Sequence, residues 1–217
     1  MATATTTGTT TRTTPAKPTR RSPTEKYDER RNQLAESALQ TLGELGYARA
    51  SLREIANNSE FSHGVVHYYF QDKLELIVYC VRYYKAQCVT RYDSVVADST
   101  SPEGLLDAFA DKLVETLQDE APMHRLWYDL RTQSMFEEPL REAVTMIDKT
   151  LEDMIWRVVS RYAELSGRSV AMTPAAAYGV LDGVFQQALL AHLSGSPTAL
   201  DDLVAQVHGL MPLVLAA

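Results

Sequence analysis

SLREIANNSEFSHGVVHYYFQDK, residues Ser51 to Lys73, decides how this chain is read. It falls into two short helical segments, about 51–58 and 62–69, joined by a tight turn. Ser51-x-x-Glu54 has the form of a capping box, with Leu52, Ile55 and Ala56 as a short apolar face. Ser62 is placed to cap the second segment. Two short helices at this spacing predict a helix-turn-helix. The second segment mixes rings with polar tips, which suits neither a buried helix nor a solvated one. A helix lodged in a DNA major groove meets base edges, thymine methyls and phosphate oxygens together, and wants both. In that setting Gly64 permits close approach and Val65 touches a methyl. His63 and Tyr68 offer hydrogen bonds to bases. His67, Tyr69 and Lys73 reach phosphates, and Phe70 turns back to lock the helix onto its neighbours.

The rest of the 217 residues agrees with a DNA-reading start. Net charge is -7, but residues 1–75 hold 10 Lys+Arg against 9 Asp+Glu, whereas residues 76–217 hold 11 against 19. A nucleic-acid surface therefore belongs in the first third. Residues 1–24 are mostly Thr, with Arg12, Lys17, Arg20, Arg21 and nothing to bury. They read as a disordered basic arm, either solvated or following the DNA backbone. The two cysteines, Cys80 and Cys88, are too few and too far apart on one helix for a disulfide, and read as core thiols. No apolar run is long enough to span a membrane, and no signal core opens the chain, so a cytoplasmic protein is expected.

Beyond the motif the periodicity is helical throughout, and the fold class is all-α with about nine helices. Leu34, Ala35, Ala38, Leu39, Leu42 and Leu45 recur at helical spacing, with Gly46 as a stop. Asp72 is placed to cap a long helix whose stripe includes Ile77, Cys80, Tyr84 and Cys88. Ser101-Pro102, Thr173-Pro174 and Ser196-Pro197 each set a capping hydroxyl before a proline suited to the first helical position. Helices are expected near 121–136 and 138–166, the latter ending at Gly167. Pro212 should end or kink the last one.

The stretch Gly46 to Leu76 resembles the DNA-binding signature of the TetR family of bacterial transcriptional regulators. Gly46-Tyr47 matches the end of that family's first helix and Ile55-Ala56 its Ile-Ala pair. Ser62-x-Gly64 matches the start of its recognition helix, and Phe70-x-x-Lys73 the end with its phosphate-binding lysine. The resemblance implies a three-helix DNA-binding head at residues 25–71 and a larger ligand-binding and dimerisation domain at 72–217. The DNA-facing set is then Ser51, Arg53, Ser62, His63, Gly64, Val65, His67, Tyr68, Tyr69 and Lys73. This chain has His67 where the family usually has tyrosine, and Glu60 where it has a turn glycine. A left-handed Glu60 would cost about 1 kcal/mol, so Glu60→Gly is expected to raise the melting temperature.

For an effector pocket, Tyr84, Trp127, Tyr128, Arg131, Met135, Met146, Trp156, Phe185 and Gln186 supply aromatic and Met walls with polar anchors; Met154 lies among them. An inward Arg131 would suit an anionic ligand. The apolar faces of the last two helices, with Val180, Val184, Ala188, Leu200, Leu203, Val204, Val207 and Met211, suit a four-helix interface between two copies. The reading is a dimeric repressor of a palindromic DNA operator, released by a small-molecule effector, with no cofactor or metal and no membrane partner. An enzyme is not indicated. There is no phosphate-cradling loop, Gly-x-Ser-x-Gly or HExxH, and the pairs Glu137-Glu138 and Asp201-Asp202 cannot face each other on a helix. Two alternatives stand beside it: a helical small-molecule binder whose head contacts proteins, and a metal-dependent hydrolase using His63 and His67.

Overall fold

Hydroxyl and carboxylate caps set most helix starts. In the computed structural model, which describes residues 22–216, Ser22 accepts from the Glu25 amide at 3.1 Å while Glu25 reaches back to the Ser22 amide at 2.6 Å. This box starts α1 (Pro23–Arg49), so the last two residues of the expected basic arm are helical; residues 1–21 of that arm lie outside the described residues. Ser51 caps α2 (Leu52–Asn57), Ser62 caps α3 (His63–Tyr69) and Asp72 caps α4 (Lys73–Thr90). A short α5 (Asp93–Asp98) leads to α6 (Pro102–Gln133), capped by Ser101. Then come α7 (Glu138–Ser166), α8 (Pro174–Leu193, capped by Thr173), α9 (Ala199–Leu210) and a 3-10 turn at Met211–Val214. Among the described residues there is no strand, only an isolated bridge between Val170 and Leu215.

Three expectations about boundaries change. The helix expected near 121–136 is the second half of α6. Pro122 lacks an N–H and kinks the helix, leaving Glu120 at φ -127°, but the helix does not stop. Ser196-Pro197 does not open α9: the helix begins at Ala199 after Thr198, with no side-chain cap. Gly46 does break α1, at φ +73°, yet one further turn follows it. Gly167 ends α7 in the left-handed region as expected.

One apolar core runs through the described chain, from Leu34, Ala38 and Leu42 of α1 to Leu203 and Val207 of α9. Phe70, fully buried beside Tyr79, plugs α3 onto α4. Arg31 lies over the rings of Phe70 and Tyr79 and pairs with Glu75 at 2.7 Å, which ties α1 to α4. No helix among the described residues is long and apolar enough to cross a membrane.

The recognition helix and the cavity behind it

Helices α2 and α3 are held at their turn by Ser59. Its hydroxyl accepts from the Phe61 amide at 3.2 Å and donates to the Ala56 carbonyl at 3.2 Å. No residue other than glycine has positive φ among the described residues, so Glu60 is not left-handed. The expected gain from Glu60→Gly is thereby withdrawn; the hydroxyl clamp makes a turn that needs no glycine.

On α3, Val66 is buried and Val65 and Tyr69 are partly so, while Ser62, His63, Gly64, His67 and Tyr68 face outward, Tyr68 at 73% exposure. Tyr27 of α1 stands against the rings of Tyr68 and Tyr69, with centroids at 6.5 and 4.9 Å, and steadies this outer face. A Cβ on Gly64 would meet nothing within 4 Å, and its φ is not positive. Neither packing nor backbone therefore asks for glycine there. Arg53 is exposed on α2 with no ion pair among the described residues. Ser51 and Ser62 spend their oxygens on caps, at 3.2 Å to the Glu54 amide and 3.3 Å to that of Val65. Lys73 is folded back, its ammonium 4.5 Å from the Tyr47 ring centre and 3.4 Å from the Ala48 carbonyl. His63 and His67 stack edge to face at 4.4 Å, and no third His, Cys, Asp or Glu joins them into a metal-binding group among the described residues.

Behind the head, α4, α6, α7 and α8 enclose a cavity of about 70 Å³. Trp127, Tyr128 and Phe185 line it, as does Met154. Other expected lining residues do not. Met135 and Met146 are 70% and 45% exposed, because Met135 lies in the turn after α6 and Met146 on the outer side of α7, and Gln186 is exposed on α8. Trp156 and Tyr84 do not line it either; Tyr84 bonds to Glu120 beside the cavity. Arg131 is held by Asp182 at 2.5 Å and Asp148 at 3.4 Å, so it is not a free anchor for an anion. Three polar lining residues lay outside the sequence expectation: Lys85, His124 and Asp182. Lys85 and His124 are 4% and 7% exposed. Burial drives the Lys85 ammonium below its ordinary value, and burial followed by the charge of Lys85 holds His124 well below 6.5. A lysine inside the apolar stripe of α4 was the one available signal.

Helix α6 serves two sites. His124, Trp127 and Tyr128 face the cavity. On its other side Arg125 donates to the carbonyls of Gly43 and Glu44, and Asp129 accepts from the Tyr47 amide at 2.7 Å. Gly43 allows this approach: a Cβ there would run into Met123 and Pro122. Tyr47 in turn donates to Glu137 at 2.5 Å, and burial with that carboxylate pushes its phenol up to about 12.

Of the expected interface residues, Leu203, Val207, Met211 and Ala188 are buried within the chain. They complete its core because α9 packs on α6 and α8. Val180, Val184, Leu200 and Val204 are exposed or partly so.

A helix-turn-helix head on an all-helical body is an architecture found in DNA-binding transcription regulators. The model of bacterial regulatory proteins of the tetR family matches residues 34–80. The HTH-type transcriptional regulator BetI of Paraburkholderia phytofirmans is 26% identical over 192 residues, 87% of this chain and 94% of its own. A transcriptional regulator from Saccharomonospora viridis, solved with choline, superposes with a TM-score of 0.71 at 14% identity, over 88% of this chain and 99% of its own. FadR of Bacillus subtilis, solved with stearoyl-CoA, gives 0.66 at 16% identity, over 85% and 97%. Over residues 34–80 the chain is similar to bacterial regulatory proteins of the tetR family, and its fold is the one that solved TetR-family regulators share.

Proposed function

We propose that the protein is a homodimeric repressor that binds a palindromic operator and is released by a small-molecule effector. Residues 25–71 read DNA and residues 72–217 bind effector and dimerise; it acts in the cytoplasm and is not an enzyme. The observation that carries the DNA reading is Gly64. It is a glycine on an exposed helix face that no internal contact or backbone angle requires, which is what close approach to an external surface calls for. Around it His63, Val65 and Tyr68 are the base-reading candidates, and Arg53, His67, Tyr69 and Lys73 the phosphate candidates. Lys73 must leave the Tyr47 ring to act. Ser51 and Ser62 contribute by fixing the two helix starts.

Effector release follows from the two-sidedness of α6. A cavity of about 70 Å³ lies far below the roughly 300 Å³ at which ligand pockets begin. An effector must widen it, and α6 cannot move without shifting the Gly43–Tyr47 corner that Arg125 and Asp129 grip. Such a ligand prefers the widened form, and only that preference can release DNA.

The test is selection of bound genomic fragments with purified protein, followed by salt titration on the selected site. Affinity should fall steeply with salt as phosphate contacts are lost. Tyr68→Ala should weaken operator binding preferentially, by about tenfold or more, while Lys73→Ala should weaken binding to all duplexes alike. Unchanged operator affinity in both variants sinks the assignment of α3.

A further inference from the structure

Resting on the reading of the cavity as an effector site, we infer that its ligand is a small apolar carboxylate, its head held by Lys85 together with Trp127.

The argument is a contrast in how the polar groups around the cavity are satisfied. Every nearby carboxylate already has an arginine and a tyrosine. Glu120 accepts from Arg91 at 2.6 Å and from Tyr84; burial would raise its carboxyl, but these bonds outweigh it and hold it below the usual value. Asp182 accepts from Arg131 at 2.5 Å and Tyr128 at 2.9 Å. Asp148 shares Arg131 at 3.4 Å and accepts from Tyr178 at 2.6 Å. Each of these carboxylates is thus already partnered and shares an arginine's charge.

The nitrogen groups are in the opposite condition. Lys85 has no ion pair among the described residues; its ammonium lies 5.5 Å from the ring centres of Tyr84 and Trp127. His124 Nε2 and Trp127 Nε1 are buried with no hydrogen-bond partner among the described residues. All three residues line the same cavity. Buried polar atoms are almost always paired, so an orphan indole N–H beside a buried ammonium with no ion pair asks for a common acceptor. That partner must accept from an ammonium and an indole N–H. A carboxylate does so with two oxygens. One negative charge matches the one unpaired ammonium, where a phosphate dianion would bring a second charge with no counterpart. The remaining lining includes Phe109, Leu113, Leu151, Met154, Ile155 and Leu181, which asks for an apolar tail.

The test holds the tail fixed and varies the head. Hexanoate, 1-hexanol and hexyltrimethylammonium are titrated into the full-length protein by calorimetry, with no DNA present. Hexanoate should bind about tenfold or more tighter than either of the others. Lys85→Met should fold, since it replaces a buried ammonium with an apolar chain of similar reach, and should lose about 30-fold in hexanoate affinity, the worth of a charged hydrogen bond. Trp127→Phe, which keeps a ring and removes the N–H, should lose a smaller factor. Preference for the alcohol or the ammonium, or a hexanoate preference that survives in Lys85→Met, overturns the carboxylate assignment and leaves an effector-binding body in place. Failure of all three compounds to bind overturns both.

Discussion

At Gly64 the fold and the proposed function make opposite demands. Alanine is a better helix former than glycine by roughly 0.5–1 kcal/mol, and a methyl group there meets nothing within 4 Å. Gly64→Ala is therefore expected to hold or raise the melting temperature while weakening operator binding about tenfold or more. A variant with unchanged DNA affinity would remove the reason for glycine at that position. Glu60 illustrates the reverse case. Its backbone is not left-handed, so Glu60→Gly adds freedom to the unfolded chain and should cost about 0.5–1 kcal/mol, read as a lowered denaturation midpoint. The His124 ring makes a prediction in pH. Its folded value lies well below 6.5, through burial first and then Lys85, with Arg91 adding and the Thr116 carbonyl opposing. The unfolded chain thus takes a proton below about pH 6.5 that the folded chain refuses. This contribution to stability is intact above that pH and is lost as pH falls, at up to about 1.4 kcal/mol per unit. His124→Leu should flatten the stability profile between about pH 6.5 and 5; an unaltered slope would show that the ring is not excluded from protonation.

Among the elements, α6 is where sequence reading and structure part most. Pro122 looks like a boundary, yet packing against α1, α7 and α9 keeps the helix running through it. The head was legible because its features are local. Caps at Ser51, Ser62 and Asp72, the plug at Phe70 and the exposed face of α3 each follow from spacing within a few residues. The cavity was not, because its decisive polar residues come from α4, α6 and α8 and meet only in the folded chain. Trp127, Tyr128 and Phe185 could be anticipated as aromatic walls. The use of Arg131 by Asp148 and Asp182 could not, since the partners lie 17 and 51 positions away. The double use of α6 carries its own expectation. Asp129→Ala removes the acceptor of the Tyr47 amide at the broken end of α1. The loss of a charged hydrogen bond should cost about 1.5–3 kcal/mol, and Tyr47 amide exchange should quicken relative to amides in α7. An amide protected as before would place the grip on α1 elsewhere.

For the molecule as a whole, the proposed dimer needs a surface on which two copies meet. The outer side of α8 keeps Leu190 62% exposed, with Val180 and Leu193 also exposed, and a Cβ at Gly179 or Gly183 meets nothing within 4 Å. Partly exposed Val184, Leu200 and Val204 continue this surface onto α9. Leu203, Val207 and Met211 are consumed by the core, so the proposed interface is narrower than the apolar stripes suggest, but its glycines would let two α8 helices approach closely. The body is strongly acidic, 19 Asp+Glu against 11 Lys+Arg over residues 76–217, and an apolar patch is where two such bodies can meet without like-charge repulsion. Leu190→Glu combined with Val184→Glu places four carboxylates across a symmetric contact. Sedimentation should then show a monomer with an unchanged helical spectrum. Because two linked half-site contacts become one, operator affinity should drop by about 10²–10⁴, while affinity for a single half-site should stay within a few-fold. A variant that still sediments as a dimer would move the interface off α8 and α9. Equal losses on half-site and full operator would instead mean that the charges had damaged the head.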